Sequence, residues 1–344
     1  MQDDRDPHKP PRVSVVVAAF NAASTLAETL SSVAAQTYRD FELIAVDDGS
    51  SDATAQLLET SARQWPWLRW ERQENGGVAG ARMRGIELSR GDWIAFLDAD
   101  DLWLPHKLAA QMALVDSAPE LSLVYCDVRY FSRHGEAKQT MFEQRKHATG
   151  DVLRKLFMNN FVLTSATLVN KSVLLDVGGF NPAHHVNEDV DLWLRIAEHH
   201  KFGCVEEVLV KYRRATGTLT RTYPYVCLQR DLEIIDYWVQ RRPDLFPADS
   251  RQVRRGRALT LARIGAQHLF DHQFGEARRA YRRAIGMGQR DPATLLRAAA
   301  AHFPPLAYLF WAAKKSWRTS RSAAAPGSSG NSSPTSSAHH ASGE

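Results

Sequence analysis

Trp93-Ile94-Ala95-Phe96-Leu97-Asp98-Ala99-Asp100-Asp101 is an apolar run that stops abruptly against three carboxylates. An uncharged run of this length suits a β-strand covered on both faces, and the acidic residues then fall at its carboxyl end. Two further apolar runs lie upstream, and the second of them also ends in carboxylates. Val13-Ser14-Val15-Val16-Val17 leads into Ala18-Ala19-Phe20-Asn21, and Phe41–Val46 ends at Asp47-Asp48-Gly49-Ser50. Between these runs, Leu26, Leu30 and Val33 recur at helical spacing, a second helical stretch is closed by Trp65-Pro66, and a third covers Val78–Ser89 after Asn75-Gly76-Gly77. With a strand over Trp67–Glu71, the order is βαβαβαβ. That alternation predicts an α/β fold with a mainly parallel sheet sandwiched by helices, whose ligands gather at the carboxyl ends of the strands.

Working outward, Leu121–Cys126 and Val162–Val169 are expected as strands, and Gly150–Asn159 and Asp189–His199 as helices. From about Arg251 the chain reads as helical. Leu261, Ile264, Gly265, Ala277, Tyr281 and Ala284 match one tetratricopeptide-type helix pair, although the proline that pattern places at Gln289 appears at Pro292. One repeat cannot bury its own face, which favours a helical hairpin over a peptide-binding array. The expected organisation is a flexible N-terminus over 1–11, the α/β domain over 12–244, a basic helical extension over 245–318 and a disordered Ser-rich tail over 319–344.

The 344 residues are 44% apolar, enough for a sizeable core, and the three separated cysteines exclude a disulfide scaffold. The net charge of +4 is regional, because residues 245–320 hold 14 Lys and Arg against 4 Asp and Glu. No interleaved aromatics or base-reading motif accompanies them, so nucleic acid is not an expected partner. Met1–Pro11 lacks the apolar core of a signal peptide, and no stretch is apolar for long enough to span a bilayer, so a cytoplasmic location is expected. The aromatic and basic segment Phe303–Trp317 suits either a terminal helix or peripheral contact at the inner membrane face. His184, His185, His199 and His200 lack zinc-site spacing and are assigned to solvent or acceptor contact.

Asp98 and Asp100, separated by one residue at a strand's end, can share one hard divalent cation while leaving coordination sites for phosphate oxygens. A turn-forming role explains Asp101 better. Glu188-Asp189 opens a helix whose Leu192, Trp193 and Leu194 mark a buried face, and on its own such an acidic pair is a helix cap more often than a base.

Seven segments between Arg12 and Thr220 resemble, in order, the family 2 inverting glycosyltransferases of the GT-A (nucleotide-diphospho-sugar transferase) fold. They are Ser14-Val15-Val16-Val17 with Phe20-Asn21, Ser32–Tyr38, Val46–Asp52, Asn75-Gly76-Gly77 with Ala81-Arg82, Phe96–Asp101, Gly178-Gly179-Phe180, and Glu188-Asp189 with Leu192-Trp193. The resemblance implies that Ala19 and Asp47 bracket the base of a nucleotide-diphosphate sugar, most simply a UDP-sugar. Arg82 would lie near the diphosphate, Asp98 and Asp100 would hold Mn²⁺ or Mg²⁺, and Asp189 would be the catalytic base. The implied activity is inverting transfer of a single hexose to a glycan or lipid-linked acceptor in polysaccharide or cell-surface glycan synthesis. The chain lacks the Gln-x-x-Arg-Trp segment of processive synthases. It departs from the family pattern at Ala18-Ala19-Phe20, at Met83 where Asn is usual, and at Ala215 where many relatives have His, a place Arg213, Arg214 or a water could fill. Two rival readings use the same aspartates: a metal-dependent phosphohydrolase or nucleotidyltransferase, and a catalytically inactive nucleotide-binding scaffold.

Overall fold

β1 (Val13–Ala19), β2 (Phe41–Asp47), β3 (Leu68–Arg72) and β4 (Trp93–Asp98) lie side by side in the order β3-β2-β1-β4, all parallel. α1 (Leu26–Ala34), α2 (Thr54–Gln64) and α3 (Gly77–Leu88) make the crossovers. β1 apart from Ala18, β2 and the apolar part of β4 are buried, as strands covered on both faces must be. Register places the site. Ala19 is opposite Asp47, and Ala18 is opposite Asp98 on the other neighbour, so three strand ends meet at one edge. The computed structural model describes residues 10–214 and 224–303. The N-terminal arm before Pro10, Ala215, most of the Phe303–Trp317 segment and the Ser-rich tail lie outside the described residues.

The second half adds β5 (Leu102–Trp103), α4 (Lys107–Ser117), β6 (Leu121–Ser132), β7 (Gly135–Thr140), α5 (Met141–Gln144), α6 (Leu153–Met158), β8 (Leu168–Asn170), α7 (Lys171–Asp176), α8 (Glu188–Ala197) and β9 (Lys201–Arg213). The sheet continues β4-β8-β6-β9-β5, with β7 hairpinned onto β6, giving nine strands. β8 runs antiparallel to both β4 and β6, whereas β6 and β9 are parallel, so the antiparallel character is confined to this half.

The segment Val162–Val169, expected as one strand, is instead a 3-10 turn over Thr164–Ala166 followed by a strand beginning at Leu168. Thr164 and Ser165 spend their hydroxyls on side-chain partners elsewhere in the site, and that holds the backbone in a turn. The helix expected from Gly150 starts at Leu153, because Gly150 has φ +74° and pairs with Phe202 across an isolated bridge.

α9 (Pro224–Arg241) buries Leu228, Ile234, Ile235 and Trp238. α10 (Arg251–Phe270) follows. Residues up to Leu261 form one compact unit and those from Ala262 a second. In the second, α11 (Phe274–Gly286) lays Tyr281 against Gly265, where an added Cβ would be 3.0 Å from the ring. α12 (Pro292–Ala300) opens with Pro292 in its first turn and Asp291 as its cap, accepting from the Thr294 N–H at 3.0 Å. Pro292 therefore starts a helix. No described helix is long and apolar enough to cross a membrane.

Candidate active site

β2 delivers Asp47 fully buried to the sheet edge. Its Oδ1 accepts from the Ser50 N–H at 3.0 Å, while Oδ2 is buried without a hydrogen bond and faces Arg72 Nε at 3.5 Å. A buried carboxylate oxygen with no donor is costly, and it is therefore a specific demand for one. Next to it, the Asp48 N–H donates to the Ala19 carbonyl at 2.8 Å, and Asp48 Oδ1 accepts from Gln73 Nε2 and the Gly76 N–H, both at 2.8 Å. These bonds tie the ends of β1 and β2 to the start of α3. Ala19 and Asp47 thus line one end of the edge.

At the other end, Asp98 Oδ1 accepts from Arg82 Nη2 at 2.6 Å. Arg82 is only 5% exposed on α3, and its Nη1 donates to Glu188 Oε1, also at 2.6 Å. The flanking carboxylates keep this guanidinium charged in spite of its burial. Arg82, expected beside the diphosphate, is thus the link between the acidic loop after β4 and the start of α8. Glu188 was legible only as half of an acidic pair; its pairing with Arg82 spans 106 positions and has no local signal.

Asp189, next to Glu188, is partly buried. Its Oδ2 accepts from Thr164 Oγ1 at 3.3 Å and its Oδ1 from the Val190 N–H at 2.8 Å. Burial first, and then the neighbouring Glu188, push its pKa up to about 7. A carboxylate poised there is suited to taking a proton near neutral pH.

Asp100 and Asp101 behave differently. Asp101 is fully buried, accepting from Ser165 Oγ at 2.6 Å and from the Arg213 N–H at 2.8 Å, as befits a turn-former. Asp100 has no side-chain partner among the described residues. Burial and the Asp98 charge raise its pKa to about 6. Two neighbouring oxygen-bearing groups whose negative charges are mutually unfavourable are the donor chemistry a hard divalent cation requires. No group of three or more His, Cys, Asp or Glu closes a cage among the described residues, so a cation here would complete its shell with ligand or water oxygens. Asp98 and Asp100 fit that use.

Arg213 is committed to Asp100 and Glu28: Nε donates to the Asp100 carbonyl at 2.7 Å, and Nη2 to Glu28 at 2.6 Å. Arg214 lies 3.8 Å over the Tyr130 ring. The Met83 sulfur accepts from the Phe180 N–H at 3.2 Å.

A family model described as glycosyl transferase family 2 matches residues 14–177. An uncharacterized glycosyltransferase of Methanocaldococcus jannaschii is 28% identical over 207 residues, covering 59% of this chain and 71% of that protein. The Escherichia coli UDP-Glc:alpha-D-GlcNAc-diphosphoundecaprenol beta-1,3-glucosyltransferase WfgD is 27% identical over 231 residues, covering 66% and 87%. Among solved structures, S. aureus TarS superposes with a TM-score of 0.57 at 18% identity over 81% of each chain, and has also been solved with UDP-GlcNAc. The Pyrobaculum calidifontis mannosyltransferase PcManGT, in complex with GDP-Man and Mn²⁺, superposes with a TM-score of 0.57 at 20% identity over 92% of this chain and 86% of that one. The βαβ half with its acidic strand ends, and the sheet built onto it, form a GT-A fold, and the sequence of residues 14–177 is similar to that of the family 2 glycosyl transferases.

Proposed function

We propose that the enzyme transfers one hexose from a UDP-linked donor to an acceptor hydroxyl with inversion, with Asp98 and Asp100 holding Mn²⁺ or Mg²⁺ and Asp189 acting as base. The observation that carries this reading is the single guanidinium of Arg82, which joins the acidic loop and the helix start bearing Asp189 through two 2.6 Å bonds. The groups that would manage the leaving diphosphate and the incoming hydroxyl thereby border one site. Asp47 Oδ2, which has the Arg72 ion pair at 3.5 Å but no hydrogen bond, supports uridine, whose ring N3–H is a hydrogen-bond donor.

The acceptor oxygen forms the new bond to the anomeric carbon as the bond from that carbon to phosphate breaks and UDP departs with the electron pair. Asp189 takes the hydroxyl proton, a contribution typically about 10²–10⁴-fold. When bound, the cation supplies Lewis-acid stabilisation of the departing diphosphate. A single displacement inverts the anomeric centre and requires no covalent nucleophile. The WfgD name supports a lipid-linked glycan acceptor, and with it a role in polysaccharide synthesis at the cytoplasmic membrane face.

UDP with Mn²⁺ is expected to raise the melting temperature, since a ligand at 100 times its Kd stabilises the native state by about 2.7 kcal/mol. Asp100→Ala removes the Mn²⁺-dependent part of that shift. With UDP-glucose and Mn²⁺, acceptor-stimulated release of UDP supports transfer. Hydrolysis or nucleotidyl exchange indifferent to acceptor overturns it, and a cation-independent shift that survives Asp100→Ala points to an inactive scaffold.

A further inference from the structure

Two hydroxyl residues interrupt an apolar run at Thr164-Ser165, and both have partners inside the site. Ser165 is fully buried. Its Oγ accepts from the Asp98 N–H at 3.1 Å and donates to Asp101 Oδ2 at 2.6 Å, and its carbonyl accepts from the Trp103 indole at 2.8 Å. One residue thus holds the backbone of Asp98, the side chain of Asp101 and the strand that follows, gripping the loop on both sides of Asp100. The other oxygen of Asp101 is fixed by the Arg213 N–H. Adjacent Thr164 directs its hydroxyl to Asp189. The turn touches the acidic loop with one side chain and the candidate base with the next.

We propose that Ser165 is a positioning residue for the cation-binding loop, and that the Thr164-Ser165 turn sets that loop in register with Asp189. The proposal rests on the reading of Asp98 and Asp100 as cation-holding residues. A serine hydroxyl can donate and accept at once, and both capacities are used here. The bond to Asp101 Oδ2 is short, at 2.6 Å, and lies in a fully buried setting where a lost partner is costly. Without it, a buried carboxylate oxygen and the Asp98 N–H lose their partner together, and the loop relaxes toward other donors. A hard cation held by only two protein carboxylates depends on their preset spacing, so loosening the loop lowers affinity for the cation with its diphosphate. Contacts to the nucleotide base at the Asp47 end are untouched.

The test is calorimetric titration of UDP into the full-length protein, once with Mn²⁺ and once with EDTA. The wild type is expected to bind UDP more tightly with Mn²⁺. Ser165→Ala is expected to weaken the Mn²⁺-supported affinity about tenfold, equivalent to about 1.4 kcal/mol, and to leave the affinity in EDTA unchanged. Asp101→Asn preserves shape while removing one of the two accepting oxygens, and gives the same pattern if Ser165→Ala fails to fold. Equal loss with and without the cation would reduce Ser165 to a general structural role and overturn the proposal, as would no loss in either. If the wild type binds UDP identically in Mn²⁺ and EDTA, the assignment of Asp98 and Asp100 itself fails, an outcome visible before any variant is made.

Discussion

Met83 explains a glycine. Gly179 has φ +61°, a left-handed conformation that side-chain-bearing residues adopt at a cost, and a Cβ added there would lie 2.3 Å from the Met83 sulfur. The same sulfur receives the Phe180 N–H, so the departure at Met83 serves the Gly178-Gly179-Phe180 turn rather than the acidic loop. Gly179→Ala is expected to destabilise the fold by about 1–3 kcal/mol through backbone strain and overpacking. In the double variant with Met83→Ala the steric share is relieved while the strain persists. Urea unfolding of both singles and the double therefore yields a positive coupling between the two sites. Additive losses would mean that the methionine yields without cost.

Two glycines of α3 separate packing from propensity. Gly85 abuts β1, where a new Cβ would be 2.4 Å from Val16 Cγ1, whereas Gly80 has nothing nearer than Gln73 Nε2 at 3.9 Å. Gly80→Ala is expected to raise stability by up to about 1 kcal/mol through helix propensity. Gly85→Ala is expected to lower it by about 1–3 kcal/mol by forcing the helix off the sheet. Arg82 is carried one turn earlier on that helix, so the second change also draws its guanidinium from Asp98, and UDP affinity in Mn²⁺ falls with stability. Urea midpoints that move together would refute this division of the helix into a packed and a free face. The same elements show what was legible. β1 to β4 could be read because β-branched runs, breaker residues and helical spacing agreed locally, and the family resemblance was carried by the motifs at their ends. β7, β9 and α9 escaped: Glu206 and Glu207 break the apolar pattern of β9, whose pairing with β6 is decided some 80 positions away. The Thr164 turn reads as strand in the sequence because a short apolar run looks alike in either state until its hydroxyls find partners. Asp98, Asp100 and Asp189 were nameable in sequence, but the Arg82–Glu188 bridge and the Ser165 contacts exist only after folding.

At the scale of the whole fold, one amine ties global stability to pH. Lys107 on α4 is fully buried, its Nζ donating to Gln111 Oε1 at 2.7 Å and to the Thr167 carbonyl at 3.3 Å, 4.0 Å from the Trp103 ring centre. Burial draws its pKa down to about 7, whereas a lysine in the unfolded chain titrates near 10.4. Between those values the unfolded chain binds a proton that the native chain does not, so this residue makes stability increase as pH rises. The slope approaches about 1.4 kcal/mol per pH unit near the middle of the window and vanishes below pH 7, where both states are protonated. Lys107→Met fills similar volume and carries no titration, and replacing a buried charge with an apolar group often costs little. The stability of the wild type minus that of Lys107→Met, from urea unfolding between pH 6 and 9.5, is therefore expected to be flat at the acidic end and to climb above pH 7. Because other titrating groups are common to both proteins, they cancel in the difference. A difference that stays level to pH 9.5 would mean that the ammonium persists in the native core, held there by the Gln111 and Thr167 oxygens and the face of Trp103.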